Sequence, residues 1–473
     1  MKSSASSGSL RRERAPKSFR LNGWAAGLLW GLSSAFAQAP QPAAGSSAAL
    51  SVEQLQQRLQ QQQQELERQR QQLDALATGL EARQPEPAGA GRLRWSGYAD
   101  MLYQRYDFYE NAQTTRPEKR GRADLRRFVL SPRFDFGKGW SFMGEIEFEH
   151  GGTGATIEYE AEEAGEYEAE IEKGGEIVLE QLYLQYEHSP MVNLRFGELV
   201  VPLGMVNRWH QPTEYFTIDR SLAESALIPS VWHESGVELY GGWGATRYQL
   251  QLVTALDSTG FSGYEFVRGG MQTKLEEKNA SAFALVAAVE HSLRPGVLVG
   301  AAFYSGNSAP NRPRQNLDGS AQVTLAELHA RWETGPLTLR AQVMTGKVAN
   351  AAAVTQANLN TYNGSELGTS RTPVGSRARA WFIEGGYDLL SLFGRSQGDR
   401  LDAFARLEDY DTHAGTDSGI TRVARYARRA TTVGLNYKPQ PGLVFKGEFS
   451  RREHDGAVGN RQDVVGLAAG FEF

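Results

Sequence analysis

Between Trp140 and Glu149, large apolar and polar side chains alternate position by position. In an extended chain, alternate residues point to opposite faces, so this segment has two unlike faces. One face carries Trp140, Phe142, Gly144, Ile146 and Phe148, and the other carries Ser141, Met143, Glu145, Glu147 and Glu149. Three carboxylates on one face require water, and the large apolar side chains opposite them require lipid or a protein core. The pattern predicts a β-strand with one wet face and one apolar face.

The same alternation recurs along the chain from Leu93 to Phe473. Segments of about ten residues with this period, separated by turn residues, are the signature of a transmembrane β-barrel, and closed bacterial barrels have an even number of strands. A soluble β-sandwich also alternates, but its strands are typically only about five to six residues long. Sixteen segments carry the pattern: 93–108, 122–136, 140–150, 177–188, 191–201, 235–243, 245–256, 280–291, 297–305, 320–332, 337–346, 377–390, 399–410, 426–438, 443–452 and 461–473.

The connections between these segments alternate between short and long. Short turns such as Gly137-Lys138-Gly139 alternate with longer segments, including 151–176, 202–234, 257–279 and 347–376. Outer-membrane barrels have short periplasmic turns and long outer loops, whereas a soluble sandwich has no reason to keep this asymmetry. Closure of the sheet satisfies every backbone group within lipid, and about sixteen strands leave an aqueous channel. We therefore predict an all-β transmembrane barrel of about sixteen antiparallel strands over 93–473.

The chain before the barrel predicts export and an α-helical segment. A basic region from Arg11 to Arg20, a short apolar run and the sequence Ala35-Phe36-Ala37 predict a signal peptide at 1–37. A flexible linker is predicted at 38–50. Residues 51–84 are predicted to form a coiled-coil helix, and 85–92, with Pro85 and Pro87, to form a hinge. The heptad positions are Val52, Leu59, Leu66, Leu73 and Leu80, joined by Leu55, Gln62, Gln69 and Leu76.

Composition narrows the function classes. The chain has no cysteine, which excludes disulfides and thiol chemistry. Without residues 1–37 the net charge is 44 − 54 = −10, and −8 of it lies in the acidic loop 158–176, which has nine Glu and one Lys. The remainder is near neutral, so nucleic acid is not an expected partner. We expect this loop to be solvated, or to form a hairpin that binds divalent cations and bridges lipopolysaccharide.

Catalytic and cofactor motifs are not found in the sequence. There is no G-x-S-x-G, H-E-x-x-H or Walker A pattern, so we predict that the chain is not an enzyme. His210, His233 and Glu234 share one long loop, but their spacing matches no metal motif, and we predict neither a metal site nor a cofactor. The terminal Phe473 on the last strand predicts recognition by the barrel-assembly machinery.

Several short motifs resemble those of the phosphate-selective porin O and P family. The resemblance covers about 93–473 and is carried by Trp95-Ser96-Gly97-Tyr98, Arg126-Arg127, Gly137-Lys138-Gly139-Trp140, Leu182-Tyr183-Leu184-Gln185-Tyr186, Leu194-Arg195-Phe196-Gly197, Pro202-Leu203-Gly204, Asp219-Arg220-Ser221 and Val433-Gly434-Leu435-Asn436-Tyr437-Lys438-Pro439. The resemblance implies a sixteen-stranded barrel, a homotrimer, and a third outer loop that folds into the pore and narrows it. Here that loop is 202–234. The related dicarboxylate-type porins also carry an N-terminal coiled coil.

The resemblance also implies basic residues along the pore. Period-two reading places six cations inward as a candidate anion track: Arg127, Arg133, Arg247, Arg340, Arg406 and Lys446. Candidate constriction residues in 202–234 are Arg208, Trp209, His210, Tyr215 and Arg220. The family's lysine cluster is missing from this loop, and Glu145, Glu147 and Glu149 face the same lumen. Alternatively, these cations are part of the mixed positive and negative charge that any porin wall carries, and they do not form an anion track.

The sequence therefore predicts an outer-membrane porin of a Gram-negative bacterium. It would pass small hydrophilic solutes, phosphate or organic anions, by diffusion, in contact with outer-membrane lipid and lipopolysaccharide and with a periplasmic coiled coil. The alternative left open is a weakly selective or non-conducting barrel that acts as an envelope tether through the coil.

Overall fold

The computed structural model describes residues 92–111, 114–151, 156–163, 166–172, 175–272, 277–362, 372–394 and 398–473. The predicted signal peptide, linker and coiled coil, and all but the last residue of the predicted hinge, lie outside these residues. Within them, sixteen antiparallel strands close into one barrel. The predicted barrel and its strand number are confirmed.

Eighteen strands occur in the described residues, of which β4 and β5 form a separate hairpin and the other sixteen form the barrel. Their bounds are β1 Leu93–Phe108, β2 Glu118–Gly137, β3 Trp140–Glu149, β4 Thr156–Glu163, β5 Glu166–Glu172, β6 Ile177–Glu187, β7 Asn193–Val200, β8 His233–Trp243, β9 Thr246–Thr254, β10 Phe283–Arg294, β11 Val297–Asn307, β12 Gln322–Thr334, β13 Leu337–Val348, β14 Arg377–Asp388, β15 Arg400–Gly415, β16 Ala427–Gln440, β17 Leu443–His454 and β18 Arg461–Glu472.

Each barrel strand presents unlike residues to its two sides. On β9, Leu250 and Leu252 are exposed on the outside, whereas Gln251 between them is buried and donates a hydrogen bond to Glu238 at 2.7 Å. On β13, Val343 is exposed, while Arg340 and Gln342 are buried. A ring with an apolar outer surface and a polar inner surface needs lipid around it and water within it.

The barrel closes where the first strand meets the last. Tyr98 lies opposite Glu472 in the β1–β18 register, and Gly97 and Phe473 exchange two backbone hydrogen bonds of 2.9 and 3.0 Å. Both chain ends of the barrel therefore lie at the same rim as the short turns. The turn between β2 and β3 needs a left-handed backbone at three successive residues, Gly137, Lys138 and Gly139, which explains the two glycines.

The long connections converge at the opposite rim. They include three short α-helices: α1 Met205–Arg208, α2 Leu222–Ser225 and α3 Ala351–Tyr362. None of the helices in the described residues is long and apolar enough to cross a membrane. The helix α3 lies in the segment 347–376, where the sequence predicted only a loop. The hairpin of β4 and β5 agrees with the hairpin considered for the acidic loop.

A hydrophobic core occupies part of the barrel interior near the long-loop rim. It joins inward positions of β9 to β14 to the connections, including Leu227 and Trp232 after β7, Phe261 and Phe266 after β9, and Val354 of α3. Trp232 packs against Tyr304 of β11 with ring centroids 4.8 Å apart. The interior is therefore divided: one part is a packed core, and the rest is lined by polar groups.

Candidate functional site

The connection between β7 and β8 lies inside the barrel. We call residues 202–232 the inserted segment; it begins at Pro202 and includes α1 and α2. Its side chains and backbone contact inward-facing residues of strands around the ring, among them Glu290 of β10, Arg331 of β12 and Glu408 of β15. The predicted loop 202–234 thus lies inside the ring and contacts several of its strands, whereas its role as a pore constriction stays a prediction.

Asp219 fixes the middle of the inserted segment to two distant strands. Its carboxylate accepts hydrogen bonds from Arg126 of β2 and Arg452 of β17, each at 2.6 Å, and from Gln104 of β1 at 3.3 Å. Burial alone would raise the pKa of the Asp219 carboxyl, but the guanidinium groups of Arg126, Arg452 and Arg122 outweigh it and hold that pKa well below its usual range. The carboxylate therefore stays charged and the clamp persists in mild acid.

A β-bulge makes this clamp possible. Asp100 lies opposite Arg127, but Leu102 lies opposite Asp124, so β2 contains one extra residue at this point. The extra residue lets the consecutive Arg126 and Arg127 both point into the lumen. Arg126 binds the inserted segment, while Arg127 lies 3.0 Å from Asp100 and 3.7 Å from Glu147.

Further polar contacts hold the segment on both sides of Asp219. The ammonium group of Lys446 donates to the carbonyl oxygens of Tyr215 and Thr217, both at 2.9 Å. The backbone N–H of Ile218 donates to Glu448 at 2.7 Å, and the hydroxyl of Ser221 donates to Glu408 at 2.7 Å. Wall charges thus satisfy loop backbone groups that would otherwise be buried without partners.

An aromatic contact adds to these polar anchors. Phe216 stacks on Phe404 of β15 with a centroid distance of 5.4 Å and an interplanar angle of 9°. The guanidinium of Arg340 lies 5.0 Å from the centroid of the Phe216 ring. On β14, a Cβ added to Gly386 would lie 2.3 Å from Phe216, so only glycine leaves room for the ring.

The start of the inserted segment depends on a close approach between Gly204 and Glu224. Gly204 has a φ of 93°, and a Cβ there would lie 2.0 Å from the Glu224 carboxyl. That carboxyl accepts the backbone N–H of Val206 at 2.8 Å. Burial raises the pKa of Glu224 to about 8, so this carboxyl is protonated at neutral pH.

Two adjoining cavities lie between the inserted segment and the wall from β6 to β12. Their volumes are about 240 and 290 Å³, and both are lined by Trp209 and Glu290. We call them together the lumen passage. Among the described residues, its charged lining consists of Arg195, Arg208, Arg247, Arg294, Arg331, Glu238, Glu290 and Glu333. Five cations and three carboxylates leave an excess of two positive charges.

The six cations of the predicted track occupy different surroundings. Arg340 and Arg406 both bind Glu384, and they border a space of only about 30 Å³ beneath the inserted segment. Lys446 is held by the segment's backbone, and Arg127 by Asp100. Arg133 is half exposed, 3.6 Å from Glu187, near the short-turn rim. Arg247 is exposed and lines the lumen passage, and within the described residues no hydrogen bond or ion pair engages it.

The five predicted loop residues also take different positions. Arg208 and Trp209 line the lumen passage, and Arg208 binds Glu290. The ring of Tyr215 packs against the ammonium group of Lys446, whose nitrogen lies 3.9 Å from the ring centroid. His210 lies 3.5 Å from Glu145, and Arg220 donates to the His210 carbonyl at 3.4 Å. Only the first two therefore meet the space in which a solute would move.

Sequence reasoning missed Arg126, Arg195 and Arg331. Strict period-two reading places Arg126 outside, because the bulge is not visible in the sequence. Arg331 lies directly opposite Arg340 in the β12–β13 register, so both face the same side. Because the sequence already predicts that Arg340 points into the lumen, knowing that Arg331 pairs with it would have placed Arg331 in the lumen as well. Arg195 binds Glu238 at 2.8 Å and lies over the ring of Tyr240, 4.1 Å from its centroid.

Comparisons with known proteins agree with this architecture. No known family description matches the chain. An uncharacterised protein of Aquifex aeolicus is 28% identical over 336 residues, covering 70% of this chain and 71% of that protein. The outer membrane channel DcaP of Acinetobacter baumannii superposes with a TM-score of 0.50 at 14% identity, over 82% of this chain and 99% of that one. An anion-selective porin from Comamonas acidovorans gives a TM-score of 0.46 at 11% identity, over 80% and 99% of the two chains.

The likeness to DcaP shows a shared fold. Both chains form a closed barrel of sixteen antiparallel strands, and the inserted segment of this chain lies inside that ring. The porin fold predicted from the sequence is confirmed, whereas membership of the phosphate-selective family remains a prediction.

Proposed function

We propose that this chain is a porin of a Gram-negative outer membrane, through which small hydrophilic solutes diffuse with a preference for anions. The observation that carries the proposal is the closed barrel itself, with lipid-compatible side chains outside and a charged lumen narrowed by an inserted segment. Such a wall separates an aqueous path from lipid. The outer membrane channel DcaP has the same fold, which agrees with this function.

The preference for anions rests on the charges of the lumen passage. Its lining has two more cations than carboxylates, and Arg247 is exposed there without an ion-pair partner among the described residues. A fixed unpaired guanidinium lowers the energy of a passing anion and raises that of a cation. Among the other lining arginines, Arg195, Arg208 and Arg331 each pair with a glutamate, whereas Arg294 lies over the ring of Trp332. We therefore propose a weak preference, directed at phosphate or organic anions with two acceptor oxygens.

Assembly and location belong to the same proposal. The resemblance to trimeric porins supports a homotrimer whose barrels contact one another and lipid through their apolar outer faces. Phe473, exposed at the seam, is the proposed mark for the barrel-assembly machinery. Light scattering of the detergent-solubilised protein should give the mass of three chains; the mass of one chain would contradict the trimer.

Planar-bilayer recording tests the channel. The purified protein should give stable conductance steps, and the reversal potential in a KCl gradient should have the sign of anion preference. Arg247→Glu should move that potential toward cation preference, because it changes the lumen charge by two units. A reversal potential unaffected by this substitution would show that Arg247 lies outside the permeation path.

The matched control is Arg429→Glu. This substitution changes the charge by the same two units, but at the long-loop rim, where Arg429 is 59% exposed and paired with Asp455. Its reversal potential should equal that of the wild type. A folded protein that gives no conductance at all would contradict the porin and support the envelope tether.

A further inference from the structure

Three ionisable side chains from separate parts of the chain meet where the inserted segment touches the wall. Glu145 belongs to β3, Glu180 to β6 and His210 to the inserted segment. One ligand atom from each lies within 4.8 Å of the other two, and all three residues are buried. The imidazole Nε2 of His210 is 3.5 Å from a Glu145 oxygen.

Several polar atoms at this point have no hydrogen-bond partner. They include both ring nitrogens of His210, the Oε2 oxygen of Glu180 and the hydroxyl of Tyr98. Tyr98 is 1% exposed and Glu180 3% exposed, and the Tyr98 ring lies 5.7 Å from the His210 ring. A buried polar atom left without a partner costs about 1–3 kcal/mol, so a ligand that contacts the atoms gathered here would be stabilised by satisfying them.

The charge around the cluster favours a cation. Glu147 is a third buried carboxylate on the same face of β3. The nearby cations are Arg220, which acts on Glu145 and Glu180, and Arg127, which is shared between Glu147 and Asp100. Arg126 lies 3.8 Å from Asp100 but shares its charge with Asp219. Buried carboxylates need a compensating charge, and three arginines, one of them shared in this way, do not balance the four acids Glu145, Glu147, Glu180 and Asp100.

We propose that Glu145, Glu180 and His210 bind one divalent transition-metal ion of the Zn²⁺ type. One imidazole nitrogen and two carboxylate oxygens form a donor set that such ions prefer, whereas Ca²⁺ and Mg²⁺ take oxygen alone. Tetrahedral bonds of about 2.1 Å place ligand atoms about 3.4 Å apart, close to the His210–Glu145 distance. The ligand atom of Glu180 lies within 4.8 Å of the other two.

The ion would join the inserted segment to β3 and β6, which follow directly in the ring after β2, the strand that carries Arg126 of the Asp219 clamp. The route to the site passes Gln181, whose side chain lines the lumen passage and donates a hydrogen bond to Glu145. A metal ion in the passage can therefore reach the cluster by displacing one amide. In this arrangement the metal stabilises the position of His210 and of the adjacent Trp209.

Zn²⁺ titration of the EDTA-treated, detergent-solubilised protein tests the site by calorimetry. The wild type should bind one Zn²⁺ per chain. His210→Asn and Glu180→Gln should each weaken binding about 100-fold or more, because loss of even a supporting residue of a metal site costs about 10–100-fold. The control is His291→Asn, since His291 is exposed on β10 and remote from the cluster; it should bind like the wild type.

Two further measurements keep the test decisive. Heat-dependent mobility on electrophoresis gels confirms that each variant forms a barrel, and X-ray absorption of the Co²⁺-loaded wild type reports its ligands without any substitution. One histidine nitrogen with oxygen ligands is expected. Binding that His210→Asn and Glu180→Gln leave unchanged, a Co²⁺ spectrum without imidazole, or no binding by the wild type would each overturn the proposal.

Discussion

Replacing Asp219 by Asn should release the inserted segment from the barrel wall. The substitution keeps the size of the side chain and removes its charge. Arg126 and Arg452 then face each other without the carboxylate that each now contacts at 2.6 Å. Since both guanidinium groups sit inside the barrel, the two like charges repel and lose their shared partner.

The magnitude follows from the burial of the three side chains. Removing one partner of a buried ion pair costs about 3–5 kcal/mol. Arg126 is 11% exposed, but Asp219 and Arg452 are 20% and 25% exposed, so water screens part of the loss. We therefore take the lower end, about 3 kcal/mol, which changes the ratio of docked to undocked segment about 100-fold.

The control is Asp463→Asn. Asp463 also lies between two arginines, Arg451 at 3.0 Å and Arg461 at 2.7 Å, but these are 40% and 48% exposed at the rim. Exposed pairs of this kind contribute about 0–1 kcal/mol. Single-channel recordings of Asp219→Asn should show larger conductance and more open-channel noise than the wild type, whereas Asp463→Asn should not. Identical traces for both variants would refute the clamp.

Two further predictions concern the inserted segment. The pKa of Glu224 is about 8 in the folded protein, compared with its ordinary value of 4.5, so protonation of this carboxyl favours the folded state. This stabilisation is fully present below pH 4.5 and is lost as the pH rises toward 8. The thermal midpoint of the wild type should therefore fall between pH 5 and pH 8 more than that of Glu224→Gln; equal pH profiles would contradict this. On β14, Gly386→Val should displace Phe216 and alter conductance, because its Cβ would meet the ring at 2.3 Å. The neighbouring Gly385→Val, which faces Leu339 on the outside, should conduct like the wild type, and an unaltered Gly386→Val channel would show that Phe216 does not set the loop position.

The sequence by itself determined the barrel. Alternation of apolar and charged residues over segments such as 140–149 assigns one face to lipid and one to water, and this requirement is local to each strand. The prediction of β1 at 93–108 matches the structure, and so does the start of β3 at Trp140. The pattern is weaker on β10, where residues 283–289 are apolar on both faces, because the inner face there packs against the core inside the barrel.

Only the tertiary structure decided which charges a solute could meet. Arg126 and Arg127 both point inward because of a bulge, and a bulge depends on how β2 pairs with β1. Whether a lumen arginine is free or neutralised depends on partners far away in the chain: Arg406 binds Glu384, while Arg247 has no such partner among the described residues. The cluster of Glu145, Glu180 and His210 likewise combines three distant segments. Periodicity reports which side of a strand a residue occupies, but barrel closure and loop insertion determine what lies opposite it.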